Sequence, residues 1–87
     1  MANIGYFPIN TNKEYETVEN VTGITFTTGT KYILQVQSAE PFYFCVSNEI
    51  PESGGFKVGL EPFTYTPQTG AKLYVKTFGK AYLNIAE

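Results

Sequence analysis

Apolar and polar residues alternate most cleanly in two runs, residues 31–38 and 42–47. Tyr32, Leu34 and Val36 share one side of the first run, and Phe42, Phe44 and Val46 share one side of the second, because an extended chain turns successive side chains to opposite faces. Ala39-Glu40-Pro41 interrupts them, so the pattern predicts two strands joined by a turn, with these six side chains at the centre of a core.

The same alternation recurs on both sides of this pair. Glu14-Tyr15-Glu16-Thr17-Val18-Glu19 reads as an edge strand with its charges outward, which discourages strand-to-strand aggregation. Ile24 and Phe26 read as inward. Residues 48–55, with Pro51 and Gly54-Gly55, form the clearest loop. Phe56, Val58 and Leu60 share a face, Pro62 ends that run, and Phe63-Thr64-Tyr65-Thr66 before Pro67 reads as an edge strand. Residues 72–77 and 80–85 predict a last hairpin around Phe78-Gly79, with Leu73, Val75, Leu83 and Ile85 inward. Helical spacing is not sustained anywhere, so no helix is expected.

Seven or eight short strands with frequent turn signals indicate an all-β fold: a compact antiparallel β-sandwich of jelly-roll or Ig-like type. Residues 1–13 keep no period and hold Gly5, Pro8 and the polar Asn10-Thr11-Asn12. They read as an extended N-terminal arm before a single sandwich domain over residues 14–87. Ile4, Tyr6, Phe7 and Ile9 give the arm apolar spots, which pack either on its own domain or on a neighbouring surface.

Composition narrows the chemistry. The 87 residues carry seven Tyr and seven Phe but no Trp, and six Lys against eight Glu with no Asp, Arg or His. Aromatics bury the most area per residue, which suits a thin core. A net charge of −2 without Arg argues against nucleic-acid binding, which draws on basic patches and the guanidinium fork. No apolar run reaches the ~18 residues of a spanning helix, so no membrane partner is expected. A single cysteine, Cys45, rules out an internal disulfide. The opening Met1-Ala2-Asn3-Ile4-Gly5 lacks the basic and apolar regions of a secretory signal, giving an expectation of folding in a cytoplasm.

Candidate chemistry is sparse. Nucleophilic catalysis of the Ser–His or Cys–His kind needs a base, and the chain has no histidine. Cys45, alternating with Phe44 and Val46, reads as a small half-buried hydrophobe. A zinc site lacks ligands, and Glu14, Glu16 and Glu19 read as a solvated edge rather than a calcium surface. Glu40, Glu49, Glu52 and Glu61 sit in or beside turns, where carboxylates are ordinarily solvated. Gly54-Gly55 precedes a strand, not the helix start that a phosphate loop requires. No catalytic residue, cofactor or metal is therefore assigned, and an enzyme is not expected.

The outward positions carry more content. Ile33, Gln35 and Gln37, with Tyr43, with Lys72, Tyr74 and Lys76, and with Tyr82 and Asn84, form one tyrosine-rich face if their strands are neighbours. Tyrosine is enriched at contact surfaces, being large, rigid and polar at its tip. The candidate interface is Tyr6, Phe7 and Ile9 of the arm together with Tyr43, Lys72, Tyr74, Lys76 and Tyr82. A thin core with such a face argues for a homo-oligomer.

The series of residues 31–37, residues 42–47, the loop 51–55, Phe63-Thr64-Tyr65-Thr66-Pro67 and Gly70-Ala71-Lys72-Leu73-Tyr74-Val75-Lys76 resembles small β-sandwich virion structural proteins of tailed bacteriophages, of the head-decoration or head-fibre type. The resemblance spans residues 30–87, and residues 1–20 match no part of it. It implies a non-enzymatic capsid decoration or stabilising subunit, made in the bacterial host cytoplasm and located in the virion. The implied partners are the major capsid or another virion protein, with a trimer favoured. The rival expectations are a carbohydrate-binding accessory module of a phage tail or baseplate, and a small inhibitor of a host enzyme.

Overall fold

Alternation becomes strand wherever one face of a run can be covered, and here two sheets cover each other. The computed structural model describes residues 3–37, 42–52, 54–58 and 61–87. Among these lie eight strands, β1 (Asn3–Ile9), β2 (Tyr15–Thr17), β3 (Tyr32–Gln37), β4 (Phe42–Ser47), β5 (Phe56–Val58), β6 (Phe63–Tyr65), β7 (Lys72–Thr77) and β8 (Ala81–Ala86), and one short helix, α1 (Val18–Thr22). Sheet A runs β1-β8-β3-β6 and sheet B runs β2-β7-β4-β5, all neighbours antiparallel. The chain is a long ribbon folded back between β4 and β5. β4 pairs β5, β3 pairs β6, β2 pairs β7 and β1 pairs β8, and rolling the ribbon adds the β8–β3 and β7–β4 contacts. That strand order is the jelly roll, so of the two expected sandwich types the Ig-like one is excluded.

The ribbon corrects both predicted hairpins. β3 lies within its expected run and β4 has its expected bounds, but the two lie in opposite sheets, as do β7 and β8. Their apolar sides meet across the core: Leu34, Val36, Phe42, Val75, Leu83 and Ile85 are fully buried, and Tyr32, Phe44 and Leu73 nearly so. The exception is Val46, which points between the sheets yet stays 50% exposed. The break 38–41 and the predicted extension of β5 to Gly59 and Leu60 lie outside the described residues.

The expected N-terminal arm is an edge strand of sheet A. Residues 3–9 pair along β8 from Asn3–Ala86 to Ile9–Ala81, with an irregularity between Asn3 and Gly5. Ile9 is buried, and the Phe7 ring lies across Gly5, where an added Cβ would stand 2.6 Å from it. Beyond β1 the chain crosses to sheet B and is clamped there. The Thr11 amide donates to Thr77 Oγ1 at 2.9 Å, the Thr77 amide donates to Thr11 Oγ1 at 2.8 Å, and the Lys13 amide donates to the Thr77 carbonyl at 2.8 Å. Both threonines are buried, so the clamp satisfies groups that water cannot reach.

A helix was not expected, yet one turn forms over residues 18–22. Thr17 caps it by accepting from the Asn20 amide at 3.1 Å, and Gly23, left-handed at φ 80°, ends it by donating to the Glu19 carbonyl at 2.8 Å. Such caps are worth about 1 kcal/mol each, and Val18 adds full burial. The edge strand before it also differs from expectation. Glu16 is in register with the inward Val75, so Tyr15 and Thr17 take the outer face, and Asn20 Nδ2 donates to Glu16 Oε1 at 3.1 Å. Ile24 and Phe26 pack against the core from a loop, not a strand. Glu19 Oε2 accepts from the Phe26 amide at 2.8 Å, and the Phe26 ring meets Tyr32 and Tyr65 edge-on.

Candidate protein interface

The outer face of sheet A is built in cross-strand rows, because residues in register share a face. Pro8, Tyr82 and Gln37 form one row, Tyr6, Asn84 and Gln35 the next, and Ala86, Ile33 and Thr64 the third. None of these residues carries a charge. The Tyr6 and Tyr82 rings, on neighbouring strands, stack with centroids 5.1 Å apart and planes 2° from parallel. Lys80, from the preceding turn, places its Nζ 5.5 Å from the centre of the Tyr82 ring. Tyr6 remains 49% exposed.

The outer face of sheet B is charged, and its central cation is engaged within the chain. Lys76 stands in register with Tyr15 on one side and Tyr43 on the other. Its Nζ lies 4.9 Å from the Tyr15 ring centre, 5.1 Å from Tyr43 and 5.7 Å from Phe78, and Phe78 in turn meets Tyr43 edge-on. Ring quadrupoles attract such a cation, by about 0.5–1 kcal/mol each at exposed sites. The Tyr15 hydroxyl donates to the Gly54 carbonyl. Gly55 beside it, at φ 102°, leaves no room for a side chain, since an added Cβ would sit 3.0 Å from the Phe44 carbonyl and collide with the Tyr15 hydroxyl. Burial, then the neighbouring Cys45 and Tyr43, push the Tyr15 hydroxyl above the ordinary tyrosine range. On the inner side, burial and then Glu19 do the same to Tyr65.

A third surface lies where the sandwich does not close. Phe56 and Val46 are in register with the inward Phe44 and Leu73, yet Phe56 is 74% exposed. With Phe63 and Tyr65 of β6 they line an apolar groove of about 290 Å³ between the two sheets. Nothing in the alternation distinguishes these two side chains from the buried ones, so sequence reasoning placed Val46 at the core's centre.

The predicted interface residues therefore separate. Tyr6 and Tyr82 come together on sheet A, while Tyr43 and Lys76 come together on the opposite side of the molecule. Lys72 is exposed on sheet B one row beyond Tyr74, in register with Ser47. Tyr74 faces outward but is only 6% exposed, and Phe7 and Ile9 point into the core, so these three offer little contact area. Cys45 is free and half-buried beside Tyr74. Among the described residues no three Cys or Glu side chains gather as metal ligands would, and no helix is long and apolar enough to cross a membrane. Comparison of the chain with protein-family models, with curated proteins and with solved structures returned no match.

Proposed function

We propose that the chain is a bacteriophage virion structural subunit, decorating or stabilising the capsid, that works by fitting its outer sheet A face against other protein. The observation that carries this reading is the face itself: four strands wide, with no charged residue in its cross-strand rows and Lys80 only at its border against Tyr82, and topped by the half-exposed Tyr6 and its stacked neighbour Tyr82. Depletion of charge with enrichment of tyrosine is what separates contact surfaces from ordinary solvated ones. Two fold-level considerations add analogy only: the resemblance over residues 30–87, and the jelly roll, an architecture used by viral capsid proteins and lectins. Mass spectrometry of purified particles tests the reading. A stoichiometric complement of the chain is expected, and its absence from particles of the phage that encodes it overturns the assignment.

A second reading, a carbohydrate-binding module, draws on the lectin analogy and the exposed Tyr6 ring. It is weaker, since sugar stacking needs open ring faces and the Tyr82 ring is already engaged by Tyr6 and Lys80. A glycan array with no signal removes it.

A further inference from the structure

We propose that the cavity between residues 26–28 and residues 65–72, floored by Glu19, binds one neutral sugar ring. The site shares no residue with the outer rows of sheet A and does not rest on the contact reading of that face. Tyr65 carries the inference. It is only 8% exposed, yet among the described residues no hydrogen bond engages its hydroxyl. Hydroxyls this buried are ordinarily partnered, so one that is not marks a place for a group from outside the chain. Tyr65 lines both the apolar groove and a separate cavity of about 240 Å³. Glu19, whose charge helps hold the Tyr65 proton, lines the cavity and not the groove, so the hydroxyl end faces the cavity.

The walls are fixed before any occupant arrives. The Gly29 amide donates to the Pro67 carbonyl at 3.1 Å, tying one wall to the other. The Ala71 amide donates to the Gln68 carbonyl at 3.3 Å, closing the turn at Gly70, which is left-handed at φ 82°. The Phe26 amide, donating to Glu19 Oε2 at 2.8 Å, holds that carboxylate in place. A ligand entering such a site is spared the cost of ordering it.

The lining chemistry selects the ligand. Glu19 keeps its second oxygen as an acceptor. Gln68 keeps its side-chain carbonyl, because its Nε2 donates to the Thr66 carbonyl at 3.5 Å. Tyr65 and Lys72 can donate, and Thr69 does both. The occupant must therefore donate and accept at several points, as the hydroxyls of a sugar do, whereas a single peptide group offers one of each. Glu19 disfavours an anion and Lys72 a cation, so the occupant is neutral. Phe26 adds an apolar wall, giving the mix of apolar surface and a few placed polar groups common to ligand sites. The space is below the roughly 300–1,000 Å³ of sites for drug-sized molecules, which leaves room for one ring.

Amide NMR spectra of the full chain, titrated with the methyl glycosides of glucose, galactose, mannose, rhamnose and N-acetylglucosamine, test this. At least one sugar is expected to shift the Phe26, Gly29, Gly70 and Ala71 amides saturably, with a Kd in the millimolar range. Tyr65→Phe is expected to weaken that binding about tenfold, the scale of one lost hydrogen bond. It should not lower the melting temperature, since the hydroxyl has no partner within the described residues to lose. Gln68→Ala, at an exposed position, should also weaken binding while the fold is kept, and Tyr6→Glu should leave binding unchanged. The inference is overturned if none of these sugars gives a saturable shift, or if methylammonium, acetate or N-methylacetamide shifts the same amides equally. Undiminished binding by Tyr65→Phe, or a lowered melting temperature in that variant, overturns it too. A chain found in particles that binds none of the sugars removes this inference alone, and a sugar-binding chain absent from particles removes the virion assignment alone.

Discussion

The two outer faces of this sandwich are made from the same few residue types and behave as opposites. On sheet B the cation of Lys76 is held by Tyr15, Tyr43 and Phe78, so the aromatic rings are spent on the chain's own charge. On sheet A the rows hold no charge, Lys80 reaches only the Tyr82 ring from the turn before β8, and Tyr6 and Tyr82 stack on each other with the outer ring half exposed. A count of tyrosines treats these faces alike. What separates them is whether a cation stands in register between the rings, which depends on strand order and not on composition.

The contrast can be broken most severely where the chain passes from one sheet to the other. Thr77→Val removes the acceptor for the buried Thr11 amide and is expected to destabilise by about 1–3 kcal/mol, the cost of an unsatisfied buried group. Urea unfolding measures it, and Thr77→Ser, which keeps the hydroxyl, should recover most of the loss. Next in size is the difference between faces. Lys76→Ala should cost about 1 kcal/mol by removing the cation from three rings and the packing of its stem, whereas Lys72→Ala should stay within about 0.5 kcal/mol. Equal losses from the two lysines would erase the distinction for sheet B.

Alkaline pH gives a smaller effect. The Tyr15 and Tyr65 hydroxyls are raised above their ordinary value of 10.0, so the folded chain holds these protons more tightly than the unfolded one. Their contribution to stability is complete below pH 10.0 and is lost as pH rises through the raised folded values. Tyrosinate absorbance should show two late-titrating rings, and Tyr15→Phe together with Tyr65→Phe should remove them. The smallest change is expected at the groove, where Phe56→Ser should move stability by less than about 0.5 kcal/mol because that ring is already in water.

Strand existence was legible from alternation because a half-covered run writes its burial into period two. Tyr32, Leu34, Leu73, Val75, Leu83 and Ile85 fell inward as that period requires. Pairing was not legible, because turn residues at 39–41 and at Phe78-Gly79 mark a change of direction without saying whether the chain stays in its sheet. In the jelly roll the strands on either side of each, β3 and β4 and then β7 and β8, belong to different sheets. The same topology moved Tyr43 and Tyr82 to opposite sides and turned residues 3–9 from an arm into a strand. Helix α1 escaped notice because a single turn is too short to show a period. Its signals, Thr17 before and Gly23 after, are present in the sequence. Val46 and Phe56 mislead for a related reason: alternation reports which way a side chain points, but not whether the facing sheet extends far enough to cover it.

One measurement bears most directly on the claim that sheet A meets protein while sheet B does not. A charge placed on each face, Tyr6→Glu on sheet A and Lys72→Glu on sheet B, can be followed by quantitative mass spectrometry of purified particles, with melting temperature confirming that both variants fold. Tyr6→Glu is predicted to be lost from particles and Lys72→Glu retained at the wild-type level. Retention of Tyr6→Glu with loss of Lys72→Glu would contradict the account.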